Sequence, residues 1–266
     1  MRVGPRAAGH RRPRGARPIG TESFVPIESY WIERYCERVN STEPVPPPLR
    51  GRAREAQGND ASILQAAREV FSEYGWGAPM AEIAARAQTG VASIYRRYPS
   101  KTELVNAIRV LSLEQICELV ESCAVPDPEA PAPASRVERF LRRHIVAAST
   151  PLLTTFGRYV ETTGEIDALA ERLRLGLEAL VGADRERGLV PAHYGPADLM
   201  LTITHLRPPL AVDRQRANEI HLRQLDYVLL GLRAAAAAEA AGDTVLSGAP
   251  SSWDEWLRLN STDAGR

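Results

Sequence analysis

The stretch "SIYRRYPSK", residues 93–101, gathers the side chains with the plainest chemical purpose in this chain. Arg96, Arg97 and Lys101 bring positive charge, Ser93 and Tyr95 add hydroxyls, and from Arg86 to Lys101 there is no carboxylate. The whole chain is formally neutral, with 33 basic and 33 acidic residues. Any electrostatic function must therefore be local, and a run of cations without counter-charge suits phosphate contact. On a wheel of about 100° per residue, Val91, Ile94, Tyr95 and Tyr98 fall on one side. Ala92, Ser93, Arg96 and Arg97 fall on the other. Small residues let a helix backbone sink into a groove, and guanidiniums at its edge can meet phosphates or a guanine edge. Taken singly, such arginines are more often a solvated face and such tyrosines a core edge. The surrounding frame decides between the two.

Other chemistries lack their residues. There is no GxSxG, no phosphate-binding loop and no pair of carboxylates on one helical face. Cys36, Cys117 and Cys123 form no CxxC, and His144, His205 and His221 show no HxxxH spacing, so neither a metal site nor a cofactor is expected. An enzyme is not expected. No apolar run approaches the ~20 residues of a membrane span, and the arginine-rich start has no apolar stretch behind it. The expected location is the cytoplasm.

The elements that would position the 93–101 stretch are all helical. Asp60 is a fair N-cap for "ASILQAAREVFSEYG", whose Ile63, Leu64, Ala67, Val70, Phe71 and Tyr74 form one apolar stripe closed by Gly75. Pro79 opens a short helix to about Ala87, "QTG" makes a tight turn, and a third helix runs from Val91 to about Tyr98. Pro99 stops it and Ser100 caps a longer fourth helix. Beyond a proline-rich loop at 124–135, Ser135 and Glu138 read as a capping box. Further helices are expected at about 136–149, 151–163, 166–187, 196–206 and 213–240. Nothing alternates with period two. Residues 1–56, basic and proline-rich around a short amphipathic "IESYWIERYCERV", read as a disordered extension, with a DNA-touching basic arm as a second reading. Residues 236–266 read as a flexible tail, with "SSWDEWLRLN" a possible docking segment.

Helix, short helix, tight turn and short helix is the order of helix-turn-helix DNA binders. "ILQAAREVFSEYGWGAPMAEIAARAQTGVASIYRRYPSKTELV" resembles the N-terminal domain of the TetR family of bacterial transcriptional regulators. The matching positions are Ala66, Ala67, Phe71, Gly75, Met80, Ile83, Ala84, Ala87, Ile94, Tyr95, Tyr98, Pro99, Lys101 and Leu104. The resemblance implies an all-α protein: a three-helix DNA-binding domain at 57–104, with its motif at 79–98, then a larger helical domain at 105–235 for effector binding and dimerisation. It implies DNA contacts from Val91, Ala92, Ser93, Tyr95, Arg96 and Arg97, and a phosphate contact from Lys101, the only lysine in the chain. The partners it implies are a palindromic double-stranded operator, a second copy of the chain and an unidentified small-molecule effector, with no membrane. Leu222, Leu225, Val228, Leu229 and Leu232, with Leu199, Leu201, Ile203 and Leu206, would form the dimer face. Phe156, Tyr159, His144 and Met200 are weak candidates for an effector pocket. The chain departs from the family at Gln88, where glycine is usual, and at Thr89, where valine is. Gln88 must then take the turn conformation with a side chain. An all-helical interaction module that has lost DNA binding is the alternative.

Overall fold

The computed structural model describes residues 52–125, 135–147, 160–208, 210–243 and 246–259. Every regular element among them is helical. α1 spans Arg52–Tyr74, α2 Met80–Arg86, α3 Val91–Arg97, α4 Lys101–Ala124, α5 Arg136–Ala147, α6 Gly164–Arg185, α7 Pro196–Leu206, α8 Arg214–Ala240 and α9 Trp253–Leu259, with a 3-10 turn at Gly75–Gly77. The amphipathic segment at 27–39 lies outside the described residues, as do Phe156, Tyr159 and residues 151–159 of the helix expected at 151–163; residues 160–163 of that expected helix are not helical.

Two apolar cores form, and α4 belongs to both. Ile63, Leu64, Val70 and Phe71 of α1, Ile83 of α2, Ile94 of α3 and Leu104, Ile108 and Leu111 of α4 make the first. Ile116, Cys117 and Val120 of α4 join Phe140 and Leu141 of α5, Leu173 and Leu177 of α6, Leu199 and Ile203 of α7 and Leu225 and Leu229 of α8 in the second. A helix of 24 residues is roughly 36 Å long, enough to run through both. α4 and α6 approach closely at Gly176, where an added Cβ would lie 2.7 Å from Val120 Cγ1. Val160, just before α6, packs into the first core. Buried Arg109 on α4 donates to the carbonyls of Val160 at 3.3 Å and Glu161 at 3.5 Å, so the second domain is bonded back to the first.

Several expectations need correction. α1 begins at Arg52, so Asp60 is an interior helical residue and not an N-cap. Half of the Ser135–Glu138 capping box forms. Ser135 Oγ accepts from Glu138 N–H at 3.0 Å, but the Glu138 carboxylate turns to Arg142 and Arg233. Asp184 of α6, fully buried, takes over by accepting from Arg136 and Val137 N–H and from the Ser135 hydroxyl. Those bonds satisfy the orphan donors of α5 and tie it to α6.

The stripe assigned to dimer contact faces the chain's own core instead. Leu199, Ile203, Leu206, Leu225 and Leu229 are buried there, with Leu201, Leu222 and Val228 packed against it. Met200 is likewise an ordinary core residue. Within the stretch read as a flexible tail, Trp253–Leu259 forms α9, in line with the docking-segment reading. α9 docks on α7, and Trp256 is buried, its ring stacked on Trp253 at 4.4 Å. The start of α9 is a complete capping box: Glu255 N–H donates to Ser252 Oγ and Ser252 N–H to the Glu255 carboxylate.

His144 sits half-buried on α5 with its ring 5.8 Å from that of Phe140. Burial, then the nearby Arg207 charge, pushes its imidazole down to about 3. It stays neutral in the fold, whereas in the unfolded chain it takes up a proton near pH 6.5. Between those values the unfolded state binds more protons. Stability should therefore fall as pH drops from about 6.5 towards 4, by up to about 1.4 kcal/mol per unit from this group. His144→Gln should flatten that part of the curve in urea titrations. Parallel curves for the two proteins would show that His144 does not carry the dependence.

Candidate nucleic-acid interface

α2 and α3 are each seven residues long, too short to persist without support. Support begins at the end of α1. Gly75 takes φ +60°, which releases the chain from α1 into the 3-10 turn. Lys101, at the start of α4, reaches back across this turn. Its ammonium donates to the Trp76 carbonyl and to that of Ala78 at 2.7 Å, and lies over the rings of Phe71 at 5.4 Å and Trp76 at 5.3 Å. Burial lowers its pKa. Pro79 then enters α2 from an extended conformation, and Ile83 and Ala84 bury the inner face.

The turn between α2 and α3 closes on backbone bonds from Gln88 N–H to Ala85 O at 3.1 Å and from Thr89 N–H to Ala84 O at 2.9 Å. Gln88 has φ +52°, the one non-glycine in the left-handed region among the described residues. The turn geometry therefore forms without the usual glycine, at the strain expected for a side chain there. Gly90 precedes α3 in an extended conformation, and Ser100 Oγ caps α4 by accepting from Glu103 N–H.

α3 is rotated from the sequence wheel by about a quarter turn. Ile94 is buried and Tyr98 half-buried, whereas Val91 and Tyr95 are 37% and 44% exposed. Ala92 and Arg96 complete the outward face, with Ser93 at its edge: the Arg96 guanidinium donates to Ser93 Oγ at 3.0 Å. Arg97 is exposed too, but its guanidinium is already engaged. It forms an ion pair with Asp60 of α1, whose side chain is 5% exposed. The wheel placed Arg97 outward, and hydrophobicity alone could not see the buried carboxylate that pairs with it.

The other cations of the run are committed as well. Arg86 bonds Glu73 at 2.6 and 3.0 Å and Glu82 at 3.2 Å, and these carboxylates raise its pKa. Of Arg86, Arg96, Arg97 and Lys101, Arg96 alone has only a neighbouring hydroxyl as its partner. The structure thus brings Val91, Ala92, Ser93, Tyr95 and Arg96 together on one surface, pairs the exposed Arg97 with Asp60, and turns Lys101 towards the protein.

Residues 63–108 match the family model described as bacterial regulatory proteins, tetR family. The chain carries a TetR-family domain. No curated protein matches the chain. Among solved structures it is similar to a TetR transcription regulatory protein from Mycobacterium vanbaalenii, at 26% identity over 60% of this chain and 93% of that one, with a TM-score of 0.45. It is similar to a TetR transcriptional regulator from Streptomyces coelicolor at 25% identity, over 65% and 97% of the two chains, also with a TM-score of 0.45. The TetR-type match spans α1 from Ile63 through the first third of α4, so the helix-turn-helix of α2 and α3 lies wholly inside it. Among the described residues, no helix is long and apolar enough to cross a membrane.

Two outcomes follow from this geometry. Gln88→Gly should raise stability by about 1 kcal/mol, read as a higher urea midpoint, because glycine takes φ > 0 without strain. A lower midpoint would mean that the Gln88 side chain contributes more than its strain costs. Lys101→Ala should lower stability by about 2 kcal/mol, since two charge-assisted bonds and the ring contacts are lost. An unchanged midpoint would leave Lys101 free for phosphate contact alone.

Proposed function

We propose that this TetR-family regulator binds a palindromic operator as a homodimer through α3, and that an effector taken up by the α4–α8 domain releases it, making the protein a ligand-responsive repressor. The observation that carries this reading is the outward face of α3. Val91, Ala92, Tyr95 and Arg96 are exposed together on a helix that holds no carboxylate. Exposed apolar and aromatic side chains beside a guanidinium fit a major-groove surface, where base edges, thymine methyls and phosphates lie side by side.

Pairing of two chains is supported by a surface other than the sequence stripe. On α8, Tyr227 and Leu230 are 57% and 61% exposed, with Gly231 and Ala234 also exposed. Their spacing of three, four and seven residues lines one helical face. An apolar strip edged by small residues lets a second helix approach closely. Two reading heads on a two-fold axis would match half-sites about 34 Å apart.

The second reading is an interaction module without DNA affinity. It is favoured by the engagement of Arg86 and Arg97 with carboxylates and of Lys101 with backbone carbonyls, which leaves fewer unpaired cations for phosphate than the sequence suggests. One experiment separates the two. DNA selected from a random pool is titrated with the purified protein over a salt series, alongside Tyr95→Ala and Leu230→Glu. The regulator reading predicts a palindromic site whose affinity falls steeply with salt. Tyr95→Ala should weaken it about tenfold or more. Leu230→Glu should yield monomers by light scattering and lose the site. Failure to enrich any sequence would move the interaction module ahead.

A further inference from the structure

We infer that Asp60 is a positioning residue for the reading helix: through Arg97 it fixes which face of α3 is turned outward. The inference rests on α3 being the DNA-contacting helix. α3 has one fully buried side chain, Ile94, and a half-buried Tyr98 just past its end. A single buried anchor resembles an axle, about which a two-turn helix can roll. Arg97 lies three residues beyond Ile94 and so on nearly the same face. Its bond to Asp60 adds a second fixed point, at the far end of α3 and against a different helix.

Asp60 is suited to be the fixed partner. It lies one turn before Ile63 and Leu64, both buried in the first core, so its own position is set by α1. Its side chain is almost wholly removed from solvent, and a buried carboxylate without a cation is strongly unfavourable. The pair is therefore hard to open, and Arg97, itself about a third exposed, is held against α1. The difference between the sequence wheel and the structure, about a quarter turn, is the roll that this pair resists. If α3 rolled by that amount, the pair would break, Arg97 would be released and Tyr95 would turn towards the core. Phosphate affinity would survive such a roll, and sequence reading would not.

The test uses the full chain, DNA selected by the wild-type protein, and a scrambled duplex of the same length. Asp60→Asn should bind the selected site about tenfold more weakly and the scrambled duplex as well or better. Its salt dependence should steepen by about one unit, because the released Arg97 can neutralise a phosphate. Asp60→Glu keeps the charge and should restore discrimination. Arg97→Met should lose discrimination with no steeper salt slope. Amide exchange on the free protein supplies a reading independent of DNA: in Asp60→Asn, α3 amides should lose about tenfold protection while those of α1 and α4 hold. Equal weakening on both duplexes, or a uniform or absent loss of protection, would overturn the inference. So would an Arg97→Met variant whose salt slope falls by one unit with α3 protection intact, since Arg97 would then be a plain phosphate contact. If the wild-type protein selects no site, the DNA-binding reading fails by itself, and the exchange result still decides whether Asp60 holds α3.

Discussion

Two turns of helix do not hold their shape alone in water, and the helix-turn-helix of this protein is built from two such pieces. Everything else in the first domain answers that constraint. α1 and α4, 23 and 24 residues long, provide the stable frame. Ile83 and Ile94 sink into the core between them. The turn from α2 to α3 is fixed by backbone bonds and by the unusual conformation of Gln88. Lys101 clamps the turn before α2, and Asp60 holds the end of α3. The two short helices are thus braced at both outer ends by polar contacts and in the middle by apolar ones.

The frame itself is not independent of the second domain. α4 supplies side chains to both cores, and Arg109 bonds the chain just ahead of α6, where Val160 already packs under the head. At Gly176 the Val120 side chain leaves no room for even one added carbon. A change in the packing of α5 to α8 would therefore have few soft places to be absorbed before it reached α4. Packed interfaces of this kind move between discrete arrangements more readily than they deform. That property suits a protein whose two domains are proposed to bind different partners.

Much of this was legible in the sequence. Helical periodicity, glycine and proline punctuation and the Ser100 cap located α2, α3, the start of α4 and the end of α1 to within a few residues, because those signals are local. The positive φ of Gln88 was implied by the family resemblance, in which glycine is usual at that position. What failed required knowledge of partners distant in the chain. Asp60 looked like a cap because its carboxylate precedes an apolar stripe, and Arg97 is 37 positions away. The leucines of α7 and α8 formed a stripe, but a stripe does not say whether a neighbouring helix or a second chain covers it. The outward strip of Tyr227, Leu230, Gly231 and Ala234 was hidden among small residues with little periodic signal. The α9 capping box, Ser252 with Glu255 ahead of Trp256, was readable and was passed over because the tail around it is polar.

The count of charges shows the same limit in its most consequential form. In sequence, residues 86–101 contain four cations and no anion, which suggests a strongly positive surface. In space, Arg86 is shared with Glu73 and Glu82, Arg97 with Asp60, and Lys101 with two carbonyls. The surface of α3 is consequently less charged than its sequence and more aromatic and apolar. If α3 reads DNA as proposed, such a surface gains less from phosphate attraction and relies more on close fit to base edges. Fit is sensitive to orientation in a way that charge is not. The Arg97–Asp60 pair, which engages one of the exposed cations, is on the same proposal a contact that holds α3 at a fixed roll.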